Sequence, residues 1–179
     1  MKILIVYGTV EGQTRKIARY LEEVLDEAGH QATSANATDQ PPAPEAFDAI
    51  ILGSSIHLGK YNPALKKYVD THVEAINQRP SAFFSVCMAI ASGLEKEREE
   101  AFQIADDFLE KTGWHTDAVW HFAGALKYTQ YDYFKRLIMR MIAKKQGGET
   151  DTNQDYEYTN WKEVKAKAHN FLEHLKVAT

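Results

Sequence analysis

Short, nearly continuous apolar runs separated by stretches of helical period constrain this chain more than any other feature. The runs are Ile3 to Tyr7, a weak one from Gln31 to Ala35, Ala49 to Leu52, Ala82 to Met88, and Ala118 to Ala123. Between them, Ile17, Leu21, Val24 and Ala28 fall on one helix face, as do Leu65, Val69, His72, Val73 and Ile76, and then Phe102, Ala105, Phe108 and Leu109. Strands that lack polar alternation are buried on both sides, which happens when helices cover both faces of a parallel sheet. The pattern predicts a doubly wound α/β fold. A last helix, with Trp161, Val164, Ala168, Phe171, Leu172 and Leu175 on one side, is expected to cover the remaining open face.

Length and composition bound the rest. A chain of 179 residues, 44% of them hydrophobic, can bury one sizeable core, so one domain over residues 1–179 is expected. The three prolines between Asp39 and Pro44 read as a surface connection and not as a linker. A net charge of −4 argues against a general nucleic-acid binder. One cysteine, Cys87, cannot close an internal disulfide, and no leader pattern opens the sequence, so a cytoplasmic location is expected. No apolar run approaches the roughly 20 residues needed to cross a bilayer. No metal site is expected.

In a doubly wound sheet, ligands bind beyond the carboxyl ends of the strands, where the strand order reverses. The stretch Tyr7-Gly-Thr-Val-Glu-Gly-Gln-Thr14 stands at such an end, behind the first run and ahead of a helix. Its glycine spacing fits neither G-x-G-x-x-G nor G-x-x-x-x-G-K-[ST], which removes the main support for dinucleotide and P-loop readings. A receiver domain would need acids after the first and third strands, where Tyr7 and Gly53 stand. What remains is T-x-x-G-x-T. Thr9 and Thr14 supply hydroxyls, Gly12 permits close backbone approach, and the following helix offers open N–H groups to an anion. A phosphate can be held here by neutral donors.

Two further loops meet the same edge. Gly53-Ser-Ser-Ile-His-Leu-Gly-Lys-Tyr61 follows the third strand, and Ser85-Val-Cys-Met-Ala-Ile-Ala-Ser-Gly93 follows the fourth. Both are rich in small residues, which let a flat ring lie against backbone. Tyr61 is a candidate to stack on such a ring, and His57 or Lys60 to tune its charge. Cys87 reads as a small core-edge residue, since no partner base is evident.

These residues carry a resemblance. The loop from Gly8 to Thr14 resembles the phosphate loop of the flavodoxin superfamily. Gly53–Tyr61, Pro80–Val86, Gly124–Tyr128, Gly147–Thr152 and Tyr158–Trp161 together resemble the menaquinone-dependent protoporphyrinogen IX dehydrogenases, over residues 1 to about 171. The resemblance implies a five-stranded parallel sheet of order 2-1-3-4-5 and an FMN cofactor. Its phosphate contacts would fall on Thr9, Val10, Glu11, Gly12, Gln13 and Thr14, with Glu11 acting through its backbone. Its ring contacts would fall on Ser55, Ile56, His57 and Tyr61, and on Ser85, Val86, Cys87 and Met88. It further implies oxidation of a porphyrinogen with menaquinone or another quinone as acceptor. His57 is the candidate base, on position only. An electron-carrying flavodoxin and a quinone reductase fed by NAD(P)H are the competing readings. The acidic stretch Gly93–Glu100 departs from the family pattern and bears on substrate identity.

The segment 127–145 separates this chain from a minimal flavodoxin. Lys127, Lys135, Arg136, Arg140, Lys144 and Lys145 oppose Asp132 alone, a local charge of +5 that leaves −9 for the remainder. Phe134, Leu137, Ile138, Met141 and Ile142 form an apolar stripe beside those bases. The pattern predicts a basic amphipathic helical insertion near 127–146. Lys127, Tyr128, Arg136 and Arg140 are candidates to meet substrate carboxylates or an anionic membrane surface, which would place the protein peripherally on the inner face of the cell membrane. Oligomeric state is not legible.

Overall fold

The computed structural model describes residues 1–126 and 156–177. The predicted insertion helix, with Lys127, Tyr128, Arg136 and Arg140, lies outside the described residues. Five parallel strands form one sheet: β1 (Lys2–Gly8), β2 (Gln31–Asn36), β3 (Ala49–Ser55), β4 (Ser81–Val86) and β5 (Ala118–Phe122). Their order is β2-β1-β3-β4-β5, as the resemblance implied. The helices are α1 (Gln13–Glu27), α2 (Pro63–Asn77), α3 (Glu95–Thr112) and α4 (Trp161–Val177). Beyond β5, the short strands β6 (Ala125–Leu126) and β7 (Tyr156–Glu157) pair antiparallel at the two ends of the undescribed segment.

Strand residues alternate between two packed layers, because successive side chains leave a strand on opposite sides. Ile3, Ile5, Ile51, Phe84 and Trp120 pack beneath α1 and α4. Leu4, Val6, Ile50, Leu52 and Phe83 pack beneath α2 and α3. Neither face of β1, β3 or β4 meets water, and this explains the unbroken apolar runs. Each such side chain contributes about 1.5–3 kcal/mol by leaving solvent. β2 gave the weak signal because it is an edge strand. Its half-buried Ser34 meets a polar group of α1, where Glu22 accepts from both the backbone N–H and the hydroxyl of Ser34. The last helix behaves as expected, with Val164, Ala168, Phe171, Leu172 and Leu175 buried against the α1 layer.

Three local expectations change. The run Ala82–Met88 is not all strand: β4 ends at Val86, and the Cys87 sulfur accepts from the N–H of Ala89 to open a 3-10 turn at Met88–Ile90. Ala28 is exposed, because α1 ends at Glu27. Phe102 is 37% exposed and lies against the His121 ring at the sheet edge, 4.3 Å between centroids, instead of entering the core.

At the centre of the sheet Gly53 sits beside Phe84, whose ring occupies the space a side chain would need. A Cβ on Gly53 would come within 2.0 Å of the ring. Gly53→Ala should therefore lower stability by about 1–3 kcal/mol through overpacking. In denaturant titrations the loss should be smaller when Phe84→Leu is already present, since the two sites share the same space.

Candidate functional site

The strand order reverses between β1 and β3, and the loops after both open into the same trough, joined by the loop after β4. Thr9, Val10, Glu11, Gln13 and Thr14 line it from the first loop, Ser55, Ile56 and His57 from the second, and Val86, Cys87 and Met88 from the third. The backbone fixes their spacing: Ile56 N–H donates to Val86 O at 2.9 Å, and Cys87 N–H to Phe122 O at 3.0 Å. The enclosed part of the trough measures about 40 Å³, room for roughly three waters, and the rest is open along the loops. Larger hollows lie elsewhere, including one of about 480 Å³ between β5 and α4. Volume is a poor guide here, because among the described residues the trough is where converging loops meet a helix N-terminus and an unsatisfied donor.

That donor is Thr14. Its residue is fully buried, and its hydroxyl has no hydrogen-bond partner among the described residues. A buried hydroxyl without a partner costs about 1–3 kcal/mol. Around it, Lys16 N–H makes the first helical bond, to Gly12 O at 3.2 Å, so the N–H groups of Gln13, Thr14 and Arg15 precede the intrahelical ladder. Gly12 turns the chain into the helix at φ 94° and brings no capping side chain. Thr9 Oγ1 accepts from Gly12 N–H at 2.9 Å, which orders the loop and leaves the Thr9 hydroxyl proton to donate. The set is made of neutral donors facing one enclosed space, the chemistry of an anion cradle. It fits a phosphate group.

The other expected residues divide. Ser55, Ile56, His57, Val86, Cys87 and Met88 do come together along the trough. Tyr61 and Ser85 do not. Tyr61 is 8% exposed, its ring stands edge-on to Phe83 and Phe108, and its hydroxyl donates to Ser85 Oγ at 2.7 Å. Burial raises the Tyr61 pKa, so the phenol keeps its proton. Tyr61 packs into the α2–α3 layer, and Ser85, 1% exposed, is its acceptor. Gln13 lines the trough, but its side-chain amide donates to Thr159 Oγ1 at 2.9 Å. Burial likewise pushes the Cys87 thiol up, which matches a core-edge role. The acidic stretch that departs from the family pattern is the start of α3, where Glu95 and Glu97 complement the helix dipole.

Sequence reasoning missed three features. Gly124 and Ala125 form a further wall of the trough. Their signal was the small-residue step Ala123-Gly124-Ala125 directly after the last run. Thr159, from the far end of the chain, braces Gln13, and nothing local announces a contact across 146 residues. Leu58 is held at φ 49° and 72% exposed at the tip of a tight turn closed by His57 and Lys60 backbone bonds at 2.8 and 3.0 Å. A left-handed leucine costs roughly 1–2 kcal/mol.

Comparison with known proteins agrees with this geometry. The family model described as "Flavodoxin domain" matches residues 4–153. The chain belongs to the flavodoxin family. Among curated flavodoxin-family relatives, the protoporphyrinogen IX dehydrogenase [quinone] of Escherichia coli (strain K12) is 39% identical over 165 residues, spanning 92% of this chain and 91% of that protein. The Leishmania major protein of the same name is 33% identical over 172 residues, 95% of this chain and 74% of the relative. Oxidised flavodoxin 1 from Bacillus cereus superposes with a TM-score of 0.52 at 19% identity, covering 83% of this chain and 100% of that one, a likeness of fold.

The unpartnered hydroxyl makes a prediction. In the ligand-free protein, Thr14→Val should leave stability unchanged or raise it by about 1–3 kcal/mol, because an unsatisfied polar group is replaced by an apolar one of the same shape. A structural capping threonine would give a loss in the same denaturant titration.

Proposed function

We propose that this chain is an FMN-dependent oxidoreductase that oxidises protoporphyrinogen IX to protoporphyrin IX and delivers the electrons to a quinone. The observation that carries the reading is the buried, unpartnered Thr14 hydroxyl at the open N-terminus of α1. The activity named for the E. coli and L. major relatives supports the substrate and acceptor classes. FMN would supply hydride acceptance at its N5 atom when bound.

Each loop then has a task. Thr9 and Thr14 would donate hydroxyl hydrogen bonds to the phosphate, and the backbone N–H groups of Gln13, Thr14 and Arg15, which precede the helical ladder, would complete its shell without a formal positive charge. Ser55, Ile56 and His57 form one wall of the ring site, and Val86, Cys87 and Met88 another, with Gly124 and Ala125 between them as surfaces without bulk. Cys87 contributes shape, since a thiol held protonated by burial is a weak nucleophile. His57, which lines the trough, is the residue we assign to receive a substrate proton. Menaquinone as the particular acceptor, and contact of Lys127, Tyr128, Arg136 and Arg140 with substrate carboxylates or an anionic membrane surface, belong to the same reading. No helix among the described residues is long and apolar enough to cross a membrane, so lipid would be met from one side.

Purified protein loaded with FMN and mixed anaerobically with protoporphyrinogen IX should lose its oxidised-flavin absorbance, and added menaquinone should restore it. Bleaching by NADPH but not by protoporphyrinogen would favour a nicotinamide-fed quinone reductase, and bleaching by neither would leave an electron carrier. Thr14→Val should weaken FMN binding by about 1–2 kcal/mol, roughly 5–30-fold, in a fluorescence-quenching titration.

A further inference from the structure

Among the described helices, α1 has the least support at its start. The Asn62 side chain caps α2, accepting from Ala64 N–H at 2.9 Å. Asn160 does the same for α4, accepting from Glu163 N–H at 3.3 Å. At α3, Glu95 and Glu97 balance the dipole. α1 has neither device: Gly12 provides no side-chain bond, and the first turn carries Arg15 and Lys16 with no acid. Cations at the positive end of a helix dipole cost roughly 0.3–1 kcal/mol each. An anion cradle needs these N–H groups left open, so the turn has to be held from outside.

The holding groups come from the other end of the chain. Gln13 Nε2 donates to Thr159 Oγ1 at 2.9 Å, and the Thr159 hydroxyl donates to Ala123 O at 2.7 Å. Gln13 and Thr159 are each 8% exposed. A hydroxyl has one proton, and Ala123 takes it, so Thr159 can only accept from Gln13. The bond direction is fixed, and with it the Gln13 amide orientation. Beside this pair, Lys16 Nζ meets Glu157 at 3.1 Å, Trp161 Nε1 donates to the other Glu157 oxygen at 2.8 Å, and Tyr158 N–H donates to Gly124 O at 3.1 Å. Residues 157–161 therefore join the first turn of α1 to the Ala123–Ala125 wall.

We infer that Thr159 is a positioning residue for the anion cradle: acting through Gln13, it fixes the start of α1 and the Thr14 hydroxyl relative to the opposite wall. The inference rests on the FMN reading, and it specifies which part of that ligand depends on Thr159. The bond that depends on the Thr159 side chain runs to the first turn of α1, on the phosphate side, while Gly124 on the ring side keeps its own bond from the Tyr158 N–H. Loss of the Thr159 hydroxyl would remove the Gln13 bond across to Thr159 and the hydroxyl donor of the Ala123 carbonyl, and so loosen the uncapped turn, while the ring walls keep their own backbone ties.

Comparison of FMN with riboflavin, which has the same ring and no phosphate, tests this. Thr159→Val should raise the FMN dissociation constant about tenfold and change that of riboflavin less than about twofold. Thr159→Ser, which keeps the hydroxyl, should restore FMN affinity. Equal losses for both flavins, or no loss for either, overturn the assignment while leaving the flavin reading intact. A wild-type protein that binds neither flavin overturns the flavin reading and this assignment with it. Should the valine variant fold poorly, hydrogen exchange on the wild type gives the same answer: FMN should slow exchange at Thr159 and Asn160 more than riboflavin does, and equal protection by the two ligands contradicts the role.

Discussion

A parallel sheet covered on both faces leaves its strands nothing to offer a ligand except their ends. The inward apolar side chains of β1, β3 and β4 are committed to one of two layers, so chemistry has to be done by the loops at the carboxyl edge. Where the order turns from β1 outward to β2 on one side and to β3 on the other, two loops part and leave a trough between them. The start of α1 points its open N–H groups into that trough. This arrangement of a helix end at a switch point is what the remaining features serve.

Several of those features weaken the fold locally. A buried hydroxyl without a partner, an uncapped helix start bearing two cations, and an exposed leucine in the left-handed region are each unfavourable by about a kilocalorie per mole or more. They cluster at the loops after β1 and β3, while the central strands beneath are largely buried. Strain of this kind persists where the surroundings over-determine it, and it gathers at functional sites. The Glu157 carboxylate belongs to this support. Partial burial opposes its charge, but hydrogen bonds from Lys16, Trp161 and Gln13 and the Lys16 charge together outweigh that and hold its pKa below the ordinary value. Its contribution to folding is therefore present above the usual glutamate range and is lost only as the pH falls through the lowered pKa.

The sequence conveyed what short-range physics writes plainly. The apolar runs from Ile3 and Ala49 gave the buried strands, the period of Ile17, Leu21 and Val24 gave α1, and the stretch from Thr9 to Thr14 marked the turn between β1 and α1, because each is a local pattern. The elements were less explicit where partners are distant. Tyr61 reads equally well as a stacking platform or a core residue, because its ring partners Phe83 and Phe108 lie far along the chain. Phe102 has the right period for the core yet lies beyond the sheet edge, beside His121. Thr159 could not be read at all, since its role depends on a residue at the opposite end of the chain.

The central claim is that uncharged donors of the 9–14 loop hold the phosphate of FMN. The phosphorus resonance of FMN bound to the protein, followed between about pH 5 and pH 8, tests it most directly, because a free phosphate monoester takes up its second proton near pH 6. Donor-only partners favour the dianion, so the account predicts a bound resonance that keeps its position across the range. A resonance that moves with an apparent pKa near that of free FMN would show a phosphate left in solvent, and would contradict the account.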